Sequence, residues 1–140
     1  MKPTVDVIVI GAGQAGLATS YWLTQAGVQH IVLETGFAGE SWRSHRWKSF
    51  RMVSPNFLNR LPGYPYSGDD HDGFLTSREM VDYLDGYARS FGAPVHDSTP
   101  VLSIKQEGDH FVVWTDVGEI HTRAVVVATG AHQRPFIPPI

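Results

Sequence analysis

The 140-residue sequence contains no cysteine. That absence removes disulfide staples, thiolate metal sites and any dithiol that would pass electrons onward, so redox chemistry on this chain would have to run through a bound cofactor. Long apolar runs are missing as well. None approaches the ~20 residues needed to cross a bilayer, and the first residues carry strand and glycine signals where a secretion signal needs an extended apolar core. Basic clusters are absent too: 11 Lys and Arg stand against 14 Asp and Glu, for a net charge of −3 and a pI near 6.1. Nothing in that balance draws the chain to nucleic acid or to an anionic membrane, and a cytoplasmic protein is expected. The seven histidines show neither H-x-x-x-H nor H-x-H pairing, so no metal site is expected. No G-x-S-x-G elbow is present to support hydrolysis.

What the chain does have begins at Val5-Asp6-Val7-Ile8-Val9-Ile10, an apolar strand that breaks into Gly11-Ala12-Gly13-Gln14-Ala15-Gly16 and continues as a helix. A strand, a tight glycine turn and a helix start, in that order, build a pocket for a pyrophosphate. Gly11 lets the backbone turn, Gly13 leaves room for the phosphates, and Gly16 lets the helix lie against the strand. The helix runs through Leu17 to Gln25 and is closed by Ala26-Gly27, and His30-Ile31-Val32-Leu33 reads as a second buried strand ending on Glu34. Glu34 stands 18 residues after Gly16, where such a site carries an acid for the ribose hydroxyls; that carboxylate repels a 2′-phosphate and leaves FAD or NAD as the ligand.

The second informative region is Thr122 to Gly130. Its Val125-Val126-Val127 run reads as a parallel strand covered on both faces, ending in Ala128-Thr129-Gly130. Before it, Val101 to Lys105, His110 to Thr115 and Glu119 to Arg123 are short β segments separated by turn residues. The crossover is therefore a β-meander. NAD-binding domains generally place a helix there, so the meander favours FAD. The expected fold is α/β, a Rossmann-like parallel sheet with an antiparallel β-meander crossover. Further signals are local: Thr76-Ser77-Arg78-Glu79 is a capping box, followed by Met80, Leu84, Tyr87 and Phe91 at helical spacing before Gly92, with a short strand near Val95.

The glycine fingerprint, Gly39-Glu40-Ser41-Trp42-Arg43, Leu61-Pro62-Gly63-Tyr64-Pro65-Tyr66 and Ala128-Thr129-Gly130, taken in this order, resemble the N-terminal part of the flavin-containing monooxygenase superfamily. The resemblance covers essentially the whole chain. It implies that Gly11, Gly13, Gln14, Ala15 and Gly16 surround the FAD pyrophosphate and that Glu34 holds the adenosine ribose. It also implies that Ser41, Trp42 and Arg43 follow the pyrophosphate and flavin side, that the backbone of Val101 meets the adenine, and that Thr129 and Gly130 close over the cofactor. Asn56 falls near a polar position beside the flavin ring. The implied activity is an NAD(P)H-using, flavin-dependent monooxygenase acting on a small-molecule substrate. NADPH reduction of the flavin would require a second dinucleotide fingerprint, which these residues lack.

Residues 36–75 show no regular structure beyond a short segment around Trp47 to Val53, and their aromatic residues offer apolar surface to fold over a cofactor. The sequence reads as one domain, 1–140, that stops before a nicotinamide-binding domain, with Pro135 to Ile140 resembling the start of a linker. A sheet so interrupted would keep an open edge beside Val125 to Ala128 and would self-associate. Two other functions fit the residues alone: a noncatalytic nucleotide-binding fragment or regulator, and an NAD-binding dehydrogenase domain.

Overall fold

The computed structural model describes residues 5–140. Strand β1 (Val5–Ile10) leads through the glycine turn into helix α1 (Gln14–Gln25) and returns as β2 (His30–Leu33). Next come the short helix α2 (Glu40–Ser44), a 3₁₀ turn at Asn56–Leu58, a two-residue hairpin of β3 (Arg60–Leu61) and β4 (Tyr64–Pro65), and helix α3 (Ser77–Ser90). The chain closes with β5 (Val95–His96), β6 (Val101–Glu107), β7 (His110–Thr115) and β8 (Gly118–Val127).

One six-stranded sheet has the order β5-β2-β1-β8-β7-β6. The pairs β5–β2, β2–β1 and β1–β8 are parallel, while β8–β7 and β7–β6 are antiparallel. This is the expected parallel sheet with a meander crossover. Because side chains alternate along a strand, β1 serves two layers. Val9 packs with Leu17 of α1 and with Met80, Leu84 and Tyr87 of α3. On the other face Ile8 and Ile10 pack with Leu33 and with Val113 of the meander. Val9, Leu17, Met80, Leu84, Tyr87, Ile8 and Val113 are completely buried.

Local signals hold to the residue. Gly27 closes α1 with φ +68° and Gly92 follows α3 with φ +66°. Thr76 and Glu79 form the reciprocal capping box. In β2, His30 is buried; its Nδ1 donates to the Val28 carbonyl at 2.9 Å, and its Nε2 shares a hydrogen bond with the Ser20 hydroxyl at 2.8 Å.

Two expectations are corrected. The third meander segment and the final Val strand are one continuous strand, β8, and its second half is covered only in part: Val126 packs against the core of α1 and α3 and Val125 against the opposite cluster. Residues 118–122 of β8 pair with β7 and residues 122–127 pair with β1. Beyond the part paired with β7, Val125 and Val126 stay half-buried while Ala124 and Val127 are exposed. Residues 36–75 are also more ordered than their irregular sequence suggests. Besides α2 and the hairpin, Arg51 bridges Thr76, and Tyr83 of α3 anchors the hairpin by accepting from the Leu61 N–H at 3.2 Å and bonding the Tyr64 carbonyl.

Candidate functional site

The site is built at the carboxyl ends of β1, β2 and β8, the position where open α/β sheets hold ligands. Backbone bonds bring the three ends together. The Gly11 N–H donates to the Leu33 carbonyl at 2.8 Å, and the Ala128 N–H donates to the Ile10 carbonyl at 2.8 Å.

Within the elbow the three glycines answer to different constraints. Gly11 has φ +104°, and a Cβ on it would lie 2.4 Å from the Ala128 carbonyl oxygen. A Cβ on Gly16 would lie 1.8 Å from the Gly11 carbonyl oxygen. Both are demanded by the approach of one backbone to another. Gly13 is different: its φ is −86°, and a Cβ there would meet nothing within 4 Å. No protein atom excludes a side chain at Gly13. Helix α1, which starts after Gly13, has no side-chain cap and no acid in its first turn. Its leading N–H groups and the positive end of its dipole are thus left for a ligand.

These elements enclose a cavity of about 680 Å³, within the size range of small-molecule and cofactor sites. Of the residues expected from sequence, it is lined by Gly11, Gly13, Gln14, Ala15, Glu34, Ser41, Trp42, Val101, Thr129 and Gly130. Gly16 lies beneath the turn and acts by packing. Glu34 is half-buried and fixed to the elbow: its Oε2 accepts from the Ala12 N–H at 2.8 Å and its Oε1 from the Gly36 N–H at 2.9 Å.

Arg43 is placed elsewhere. Its Nε lies 3.5 Å from Glu40 Oε2, its guanidinium sits 5.6 Å from the Phe37 ring centroid, and it lines a separate depression with Val81 and Asp85 of α3. The i,i+3 spacing on α2 turns it toward Glu40. Glu40 itself lines the cavity. Its carboxyl is held below the ordinary range, first by the Ser44 hydroxyl and also by the Phe37 N–H, Arg43 and His45, against the opposing effect of burial. Arg43 therefore offsets a carboxylate at the cavity wall and does not reach into the cavity. Asn56 is buried, donates through Nδ2 to the Asp70 carbonyl at 2.8 Å, and does not line the cavity. Of residues 36–75, only Glu40, Ser41, Trp42 and His45 reach the cavity. The aromatic residues Tyr64 and Tyr66 pack onto the core of α1 and α3 instead.

Sequence reasoning missed Thr35, His45, Thr99, His132 and Gln133, all of which line the cavity. Thr99 arrives because its N–H donates to the Glu34 carbonyl at 2.8 Å, a contact across 65 residues that no spacing announces. Thr35 was legible as the neighbour of Glu34 at the strand end.

The pyridine nucleotide-disulphide oxidoreductase family matches residues 8–140. An uncharacterized CzcO-like oxidoreductase of Geobacillus kaustophilus is 42% identical over 140 residues, covering 99% of this chain and 40% of the relative. Among solved structures, a flavin-containing monooxygenase from Stenotrophomonas maltophilia superimposes with a TM-score of 0.83 at 29% identity, over 96% of this chain and 41% of that one. OTEMO in complex with FAD and NADP shares the fold, with a TM-score of 0.83 at 22% identity over 100% of this chain and 28% of that one. The chain thus spans about 40% of the length of the first relatives it matches. With the elbow, the fixed acid and the Ala-Thr-Gly turn gathered at one crevice, and a family match that runs through all of them, the chain belongs to the pyridine nucleotide-disulphide oxidoreductase family.

Proposed function

We propose that this chain is the FAD-binding portion of a flavin-dependent, NAD(P)H-using monooxygenase that acts on a small molecule. The observation that carries the reading is Gly13. Its conformation is open to any residue and its surroundings are empty, so the missing side chain makes sense as room for a ligand against the uncapped start of α1. The likeness to a flavin-containing monooxygenase over 96% of the chain supports the choice of ligand.

The donors fit FAD. The N–H groups of Gly13, Gln14 and Ala15 would meet the pyrophosphate at the positive end of the helix. Glu34, held in place by Ala12 and Gly36, keeps lone pairs free for the ribose hydroxyls. Val101 would contribute its backbone to the adenine, Thr129 and Gly130 would close the turn, and Ser41 and Trp42 would border the flavin side. When bound, FAD supplies hydride acceptance and electron delivery to oxygen. The residues of this chain would bind it and orient it. Glu34 also argues against a 2′-phosphate at this site, which assigns NADPH to chain that the longer relatives have in addition. A cytoplasmic location completes the reading, supported by the lack of cysteine and the mild negative charge.

Titration of the purified chain with FAD, followed by flavin fluorescence, tests the reading. Saturable one-to-one binding is expected, competed by ADP and much less by 2′,5′-ADP. Binding of NAD in place of FAD would support a dehydrogenase domain, and the absence of any nucleotide binding would overturn the proposal.

A further inference from the structure

Arg46 is the half-buried cation of the segment that follows α2; Arg43 and Lys48 on either side are exposed. Its guanidinium carbon lies 4.6 Å from the centroid of the Trp42 ring and 5.5 Å from that of Phe50. Nη1 donates to the His45 carbonyl at 3.1 Å and approaches the Ser41 carbonyl at 3.5 Å. Trp42 lines the cavity, whereas Arg46 does not.

Helix α2 has five residues and buries none of them fully. A helix of that length has no stability of its own, so the direction of Trp42 depends on what grips it from outside. Phe50 packs against the indole at 5.6 Å between centroids and is itself met edge-on by Trp47 at 5.0 Å. Trp42 also packs against the core cluster of α1 and α3, and Arg46 adds the contact with the ring that no apolar neighbour supplies. A planar guanidinium can stack on an indole face and donate in its own plane to backbone carbonyls at the same time, which an ammonium cannot do.

We infer that Arg46 is a positioning residue for the cofactor site: by stacking on Trp42 while bonding the His45 carbonyl that caps α2, it fixes the indole as a wall of the cavity and so sets the affinity for FAD. The inference rests on the proposed function for its ligand, but the geometry it assigns to Trp42 exists without one. Arg46 does not line the cavity, so its influence on a ligand passes through Trp42.

The test is a cycle of Arg46→Gln, Arg46→Lys, Trp42→Leu and the double variant Trp42→Leu/Arg46→Gln in the full 140-residue chain. Two readouts are taken: the Kd for FAD, and the ¹⁹F NMR signal of Trp42 in protein labelled with 5-fluorotryptophan, assigned by its loss in Trp42→Leu. Loss of the stacking contact should weaken FAD binding by about fivefold in Arg46→Gln, with Arg46→Lys falling between. Arg46→Gln should also shift or broaden the Trp42 signal in the ligand-free protein. In the Trp42→Leu background the Arg46 change should add nothing, because the two act as one unit. An undiminished effect of Arg46→Gln in that background would show a direct action of the charge and overturn the inference. So would an unchanged Kd, or an unchanged Trp42 signal. A wild-type chain that binds no FAD, yet shows the signal change, would remove the proposed function and the claim on affinity, and leave the placement of Trp42 standing.

Discussion

Adding one side chain at Gly16 and one at Gly13, three positions apart in the same motif, should have opposite effects on stability. The Gly16 Cβ would sit 1.8 Å from a backbone oxygen, which cannot swing away as a flexible side chain can. Gly16→Ala is expected to cost about 3 kcal/mol or more, the upper end of overpacking penalties, read as a lowered midpoint in urea. Gly13→Ser has open space and the extended backbone of an N-cap, and serine is slightly better than glycine at that position. The variant should keep or gain a few tenths of a kcal/mol while losing FAD, because the hydroxyl occupies the N–H groups that would meet the pyrophosphate. A Gly13→Ser variant that unfolds, or one that binds FAD as the wild type does, would contradict this division of labour. The motif spacing was legible in the sequence. The distinction between the glycines that backbone contacts require and the glycine with open space around it was not, since it depends on where Ala128 lies relative to Gly11, and β8 brings that residue in from the far end of the chain. Arg43 shows the same limit: its charge suited a pyrophosphate, yet its nearest acid, Glu40, is one turn away on its own helix.

At the scale of the element, the segments whose determinants are local were the ones the sequence described well. The capping box of α3 is an example, since every group in it lies within four residues. Glu79 accepts from the Thr76 N–H at 2.8 Å and from its hydroxyl at 2.8 Å, and the Glu79 N–H donates back to that hydroxyl. Its carboxyl is held below the ordinary value, chiefly by the Thr76 N–H, then by the Thr76 hydroxyl and more weakly by Arg51, against a small opposing effect of burial. A lowered folded-state pKa means that the stabilisation is fully present above the unfolded value of 4.5 and disappears as the pH falls through the folded value. Comparing Glu79→Gln with wild type by thermal unfolding should therefore show a difference at pH 7 that shrinks steadily below pH 4.5. A difference independent of pH would mean that the carboxylate charge contributes nothing. Elements fixed by distant partners were harder to read. The β3–β4 hairpin depends on the Tyr83 hydroxyl about twenty residues away, and the single long strand β8 depends on two different neighbours at its two ends.

On the scale of the whole molecule, the two halves of β8 differ in what they leave open. From Gly118 to Thr122 the strand has β7 on one edge, and from Thr122 to Val127 it has β1 on one edge. Among the described residues, no strand pairs with the other edge of 123–127. Unpaired N–H and carbonyl groups along an apolar strand are a template for a further strand, and Val127 there is 65% exposed. The 140-residue chain is therefore expected to self-associate through this edge, giving an average mass in sedimentation velocity that rises with concentration. The exposed Ala124 is the place to test it. Lysine is a residue that natural edge strands use against such pairing, and at an exposed position it should change stability by no more than about 0.5 kcal/mol. Ala124→Lys should then shift the population toward monomer without lowering the melting temperature. A wild-type chain that stays monomeric at high concentration would show that the edge is closed in solution. Association that is indifferent to Ala124→Lys would move the contact to the exposed Leu102 and Ile104 of β6, the other apolar surface of the same sheet.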